Sequence, residues 1–307
     1  MKKSVQIILA LAIIFTIFFM KDDISKFMSD FINDQKDKNI VNKITIPKSN
    51  EYKKNNTTYE YVKEVNSYIP SKYDDIKNII YTVLNNGFEE FTFYCPTSYT
   101  NCIDDVTEIT NNEEKLSNIN NYVSPFNSFK TIETTYSSDG EVTLVIHKLY
   151  DDNTIKDVNN KTDEIISKII TNDMSNEDKI KAVHDYVINN TKYDSEKIGG
   201  VTKYKSNTAY GALLQGYAIC SGYADTMAIF LDKLGFENYK IASSKHVWNL
   251  VKINDEWKHL DLTFDDPVTS SGEDMLLTDY FLISTAQVKE KDNVEHYFDD
   301  KIYIEAQ

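Results

Sequence analysis

Arginine is missing from this chain: its basic side chains, histidines aside, are 33 lysines set against 48 Asp and Glu, and the formal net charge is −15. Without the guanidinium fork that grips phosphates and reads bases, and with a surface that repels polyanions, nucleic acid is not an expected partner. A glycine-rich phosphate loop, a dinucleotide fingerprint, a cluster of metal-ligating residues and a calcium loop are likewise missing, so no cofactor is expected. No internal repeat or low-complexity tract occurs. Cysteine is scarce, with three in 307 residues.

One long apolar run is present, from Val5 to Met20 behind Lys2 and Lys3. Residues 1–20 read as an export signal or membrane anchor. The residues after the run offer no small-residue cleavage site and favour the anchor, although the run is short of the about 20 residues of a full span. Lysines on the short side place the N-terminus in the cytoplasm and the remainder outside. Outside the membrane Cys95 and Cys102 can oxidise, and a disulfide is expected over two unrelated buried thiols. Cys220 is then the odd thiol, a partner for another chain or a reactive group.

Residues 21–59, rich in Lys, Asp, Asn and Ser, read as a spacer with at most one short helix near Ile24 to Phe31. Residues 60–150 combine a helical pattern at Tyr73 to Leu84, a strand at Phe88 to Tyr94 and two strands flanking Ser138-Asp139-Gly140, a small α+β domain with no chemistry in its residues. Residues 151–307 begin with helices over Asn153 to Ile170 and Asn176 to Asn190, the second behind a capping pattern at Ser175. His184 falls on the stripe with Ile180, Val183 and Val187, which reads as a core histidine with no metal partner one turn on.

The candidate chemistry begins at Gly216-Tyr217-Ala218-Ile219-Cys220-Ser221-Gly222-Tyr223-Ala224, which runs into an apolar helical pattern ending at Gly235. Cys220 is expected at a helix start, where unpaired N–H groups and the helix dipole favour a thiolate. The flanking glycines are expected to let a substrate backbone approach the sulfur. Taken alone, such a cysteine is usually a packing residue.

His246-Val247-Trp248-Asn249 and Glu256 through Phe264 read as a hairpin about Asn254-Asp255. If those two residues are the whole turn, Lys252 faces Trp257, and His246 and Asp261 share one face as diagonal neighbours; a third turn residue would separate them. Tyr217, Trp248 and Trp257 are expected around the cleft, and Asp265-Asp266-Pro267 as the turn ending the hairpin. Thiol, imidazole and carboxylate together suit acyl transfer, as nucleophile, proton carrier and orienting group.

These three blocks, the last running from Trp257 to Pro267, resemble in type and order the motifs of the bacterial transglutaminase-like superfamily, over about residues 175 to 285. The resemblance implies an α+β, papain-like core. A helix bearing Cys220 would pack on an antiparallel sheet carrying His246 and Asp261, and Tyr280 to Ser284 would form a late strand. It also implies a catalytic Cys220, His246 and Asp261. Gln215 lies five residues before the cysteine rather than six, which puts the oxyanion hole on the Cys220 N–H instead. Such a site is compatible with amide hydrolysis, with protein crosslinking, or with a binding scaffold that has lost activity. For an anchored extracytoplasmic protein acting on peptides at the cell envelope, hydrolysis is placed ahead of crosslinking.

Overall fold

A computed structural model describes residues 20–41, 44–55, 57–267, 276–291 and 294–306. The apolar run at 5–20 lies outside the described residues except for Met20. Among the described residues no helix is long and apolar enough to cross a membrane.

Helix α1 spans Lys21–Val41, longer than the short helix expected, because neither proline nor glycine interrupts the chain until Pro47. From Ile44 onward the expected spacer packs against the rest of the molecule. The Lys54 ammonium donates to the carbonyl oxygen of Asn238 at 2.7 Å, and Tyr59 Oη donates to the same oxygen at 2.7 Å.

Helix α2 (Tyr73–Asn85) buries Ile76, Ile79, Ile80, Val83 and Leu84, the 3–4 spacing of one face. It precedes β1 (Glu90–Tyr94), α3 (Cys102–Thr110), α4 (Glu113–Asn120), β2 (Phe129–Tyr136) and β3 (Glu141–Lys148). The strands form an antiparallel sheet in the order β1-β3-β2. A Cys95–Cys102 disulfide joins the end of β1 to the start of α3.

Helix α5 covers Asp152–Ile169 and α6 Asn176–Asn190, the latter with a complete capping box between Ser175 and Asp178. Then come β4 (Lys192–Tyr193), the single-turn α7 (Ser195–Ile198), a π-turn at Gly211–Gln215 and β5 (Tyr217–Ala218). Helix α8 (Cys220–Leu234) follows, and then β6 (Asn238–Ala242), β7 (Val247–Ile253), β8 (Glu256–Leu260), α9 (Leu262–Asp265) and α10 (Thr285–Lys291). Strands β6-β7-β8 form a second antiparallel sheet.

This second sheet is buried on both sides. Val251, Ile253 and Leu260 join an apolar cluster with Met227, Phe230 and Leu231 of α8, whereas Tyr239, Ile241, Trp248 and Leu250 join one with Ile76, Phe91 and Val142. The latter cluster crosses the boundary expected at residue 150. Tyr150 reinforces the join: its Oη donates to Asp225 of α8 at 2.8 Å and accepts from the Ala209 N–H at 2.7 Å.

The stretch Tyr280 to Ser284 is a correction to the expected strand. Only Ile283 pairs, through two hydrogen bonds with His259, because Leu282 adopts φ 51° and breaks the extended run.

Candidate active site

The turn between β7 and β8 has two residues. Asn254 and Asp255 both have positive φ, 51° and 62°, the conformation that matches a hairpin's right-handed twist. Lys252 therefore faces Trp257 and Asn249 faces Leu260. Residues two apart share a strand face. His246 consequently stacks on Trp248, ring centroids 5.6 Å apart and planes 13° apart, and Asp261 leaves β8 on that same side.

His246 Nε2 lies 2.5 Å from Asp261 Oδ2, with both side chains buried. Burial works against a charged imidazole, but the charge and hydrogen bond of Asp261, with a smaller contribution from Cys220, outweigh it and raise the His246 pKa to about 10. Burial likewise opposes the charge on Asp261, and its contact with His246 and a second imidazole, His296, reverses this and holds the carboxyl well below its usual range. His296 Nε2 lies 2.9 Å from the same Oδ2. An ionised carboxylate only accepts hydrogen bonds, so both imidazoles donate through Nε2. The nitrogen His246 leaves for the thiol is Nδ1.

Asp261 is also the N-cap of α9, its Oδ1 accepting from the N–H groups of Thr263 at 2.9 Å and Phe264 at 3.3 Å. Four donors thus hold one carboxylate. The ligand-type atoms of His246, Asp261 and His296 lie within 4.8 Å of one another, but a metal ion there would displace the protons that bind both imidazoles to Asp261.

Cys220 is the first residue of α8, half-buried and free. Its N–H is one of those a helix leaves without an intrahelical acceptor. Tyr193 is a neighbour, its phenol pKa raised by burial and by the charge of Cys220.

Several sequence expectations need correction. A side chain at Gly222 would meet the Ser206 carbonyl oxygen at 2.3 Å, so this glycine lets 206 and α8 pack rather than admitting substrate. Trp257 does not flank the cleft; it packs with Tyr59 and Tyr239. Tyr217 needs no such correction and stacks on Tyr204 at 4.0 Å; nor does Gln215, which is exposed and accepts from the Lys205 N–H, in keeping with its exclusion from the oxyanion hole.

Asp265 and Asp266 are more than a turn. Asp265, fully buried, accepts from His184 Nε2 at 3.0 Å and from the Tyr280 N–H at 2.9 Å, while Asp266 accepts from the Tyr223 hydroxyl of α8. They tie α9 to α6 and α8. Sequence reasoning missed His296 as well. Four of the five histidines are buried, and this clustering is invisible in their spacing. Of these, His259 is kept neutral: burial pushes it down to about 3, and it accepts from Trp248 Nε1 at 2.9 Å through Nδ1.

The profile of the transglutaminase-like superfamily matches residues 163–262, a stretch containing Cys220, His246 and Asp261. The chain carries a transglutaminase-like core. Its α+β, papain-like architecture is that of cysteine-based acyl transfer and hydrolysis. A solved chain described as "Crystal structure of a TGase" is similar at 16% identity and a TM-score of 0.33, over 44% of this chain and 44% of its own length. The present chain thus spans under half of that relative. Among curated proteins none matches.

Proposed function

We propose that this chain is an extracytoplasmic, membrane-anchored cysteine enzyme that opens peptide or protein amides through a thioester, with water as the favoured acceptor. The observation that carries the reading is the His246–Asp261 contact at 2.5 Å, with Cys220 at the start of α8 among the groups that raise the His246 pKa.

In the reaction proposed, the Cys220 proton already rests on His246 Nδ1 as a thiolate–imidazolium pair, and the thiolate attacks the amide carbonyl carbon. The Cys220 N–H is placed to stabilise the oxyanion. His246 returns the proton to the departing nitrogen, the C–N bond breaks and an S-acyl enzyme remains. Water, deprotonated by His246, then attacks the thioester carbon, and the acid leaves as the thiol is restored. Asp261 holds the ring and stabilises its cation throughout.

The Cys95–Cys102 disulfide supports the extracytoplasmic assignment, because such bonds persist in oxidising compartments. Residues 5–20 are the proposed anchor, and peptides at the cell envelope the proposed substrates.

The test is incubation of the full chain with a glutamine-containing peptide and a labelled primary amine. Release of ammonia or peptide cleavage without label, lost in Cys220→Ala, supports hydrolysis. Cys220-dependent label incorporation shows crosslinking instead, and no turnover by the unaltered chain leaves the scaffold reading.

A further inference from the structure

The superfamily match ends at residue 262, yet the shell of Asp261 is completed by His296, 35 residues further along the chain. The His296 ring is 1% exposed and held from several sides. It stacks on Tyr280 at 4.9 Å with planes 14° apart, and meets Phe264 at 4.6 Å and Trp248 at 4.8 Å edge to face. Packing of this kind fixes the direction of the Nε2–H bond.

That bond points to Asp261 Oδ2, the oxygen that also receives His246. The helix N-cap occupies Oδ1. Without His296, Oδ2 would have one partner, and that partner is the imidazole that must accept and release a proton during turnover. With it, the carboxylate keeps a fixed donor on Oδ2 whichever charge state His246 is in.

We propose that His296 is a positioning residue: its Nε2–H aims the Asp261 carboxylate at His246. The role rests on the acyl-transfer reading of Cys220, His246 and Asp261. The working catalytic unit accordingly extends past the family-matched segment to the chain around residue 296.

The test uses the full chain and begins with NMR of 15N-labelled histidine, which needs no substrate. His296 is expected as the Nε2–H tautomer; an Nδ1–H tautomer with a bare Nε2 cannot donate to Asp261 and would overturn the proposal. Alkylation of Cys220 by iodoacetamide at pH 6 and peptide turnover are then compared in His296→Phe, which keeps a packed ring without the donor, and His296→Gln, which keeps an N–H donor. Groups that orient metal-ligating histidines are typically worth about 10- to 100-fold, and with a comparable effect here alkylation and kcat in His296→Phe should fall by that factor with KM unchanged. His296→Gln should recover most of the loss at a similar melting temperature.

Equal alkylation in the unaltered chain and His296→Phe refutes the role, as does a His296→Gln chain that folds normally but is impaired as much as His296→Phe. Should His296→Phe not fold, the tautomer and the Gln variant decide. An unreactive Cys220 in the unaltered chain sinks the proposed reaction itself, a separate result.

Discussion

His246 and Asp261 meet side chain to side chain at 2.5 Å although neither lies within a strand: His246 directly precedes β7 and Asp261 directly follows β8. The two-residue turn at the far end of the hairpin sets the parity that puts them on one face. Replacing Asp255 with glycine should relieve a non-glycine residue at φ 62° and stabilise the chain by about 0.5–1 kcal/mol, activity unchanged. Inserting one glycine between Asn254 and Asp255 should abolish turnover. Urea unfolding and peptide hydrolysis measure the two effects.

Cys220→Ala should lower turnover by at least about 10³-fold, the scale on which losing a nucleophile removes a catalytic unit. Because the thiol is half-buried at a helix start and makes no disulfide, the fold should survive. Circular dichroism and thermal melting check that the loss is chemical.

The ion pair of the proposed reaction needs a protonated His246, whose pKa is raised to about 10 by Asp261 against the opposing effect of burial. The alkaline limb of kcat/KM should therefore fall near pH 10 rather than near 6.5. Asp261→Asn removes the charge that raises it and should bring the limb down, together with a loss of kcat; a limb that stays in place would contradict the assignment.

Stability should peak near pH 6.5. His259 is held neutral with its pKa at about 3, so between 6.5 and 3 the unfolded chain binds the extra proton and stability is lost as pH falls. His246 is raised instead: its contribution is complete below 6.5 and is lost as pH climbs through 10. Each limb has a slope of up to about 1.4 kcal/mol per pH unit from its one proton. Urea midpoints from pH 4 to 10 trace both limbs, and His259→Gln should flatten the acid one.

Lys240 of β6 and Asp225 of α8 form a buried ion pair at 2.7 Å, with the Tyr150 hydroxyl on the other carboxylate oxygen. Lys240→Met leaves Asp225 charged and buried without its cation, which should cost about 3–5 kcal/mol. Mutating both residues to apolar ones of similar size should recover much of that, a comparison made by double-mutant unfolding.

Local patterns made much of this protein legible. The helix from Asn176 to Asn190 was readable because the Ser175 cap and the Ile180, Val183, Val187 stripe act within a few residues. The Cys220 helix ends at Gly235, as a left-handed C-cap requires. The hairpin could be reduced to one question of turn length. What lay beyond reach involved partners distant in sequence: Trp257 turned toward Tyr59 and Tyr239, and Asp265 and Asp266 became buried acceptors for His184 and Tyr223.

The sequence by itself determined which residue types the chain could bring to acyl transfer, in what order, and on which kinds of element, because caps, periodicity and turns are short-range effects. Only the tertiary structure decided how the carboxylate is held. Asp261 takes its four donors from His246, from the N–H groups of Thr263 and Phe264 and from His296, and the last comes from a segment whose position depends on packing against Tyr280, Phe264 and Trp248. A hydrogen bond between residues 35 apart leaves no periodic trace in a sequence. The opposite shifts of two buried histidines, His246 raised to about 10 by its contact with Asp261 against the effect of burial and His259 lowered to about 3 by burial, are likewise a property of the folded chain alone.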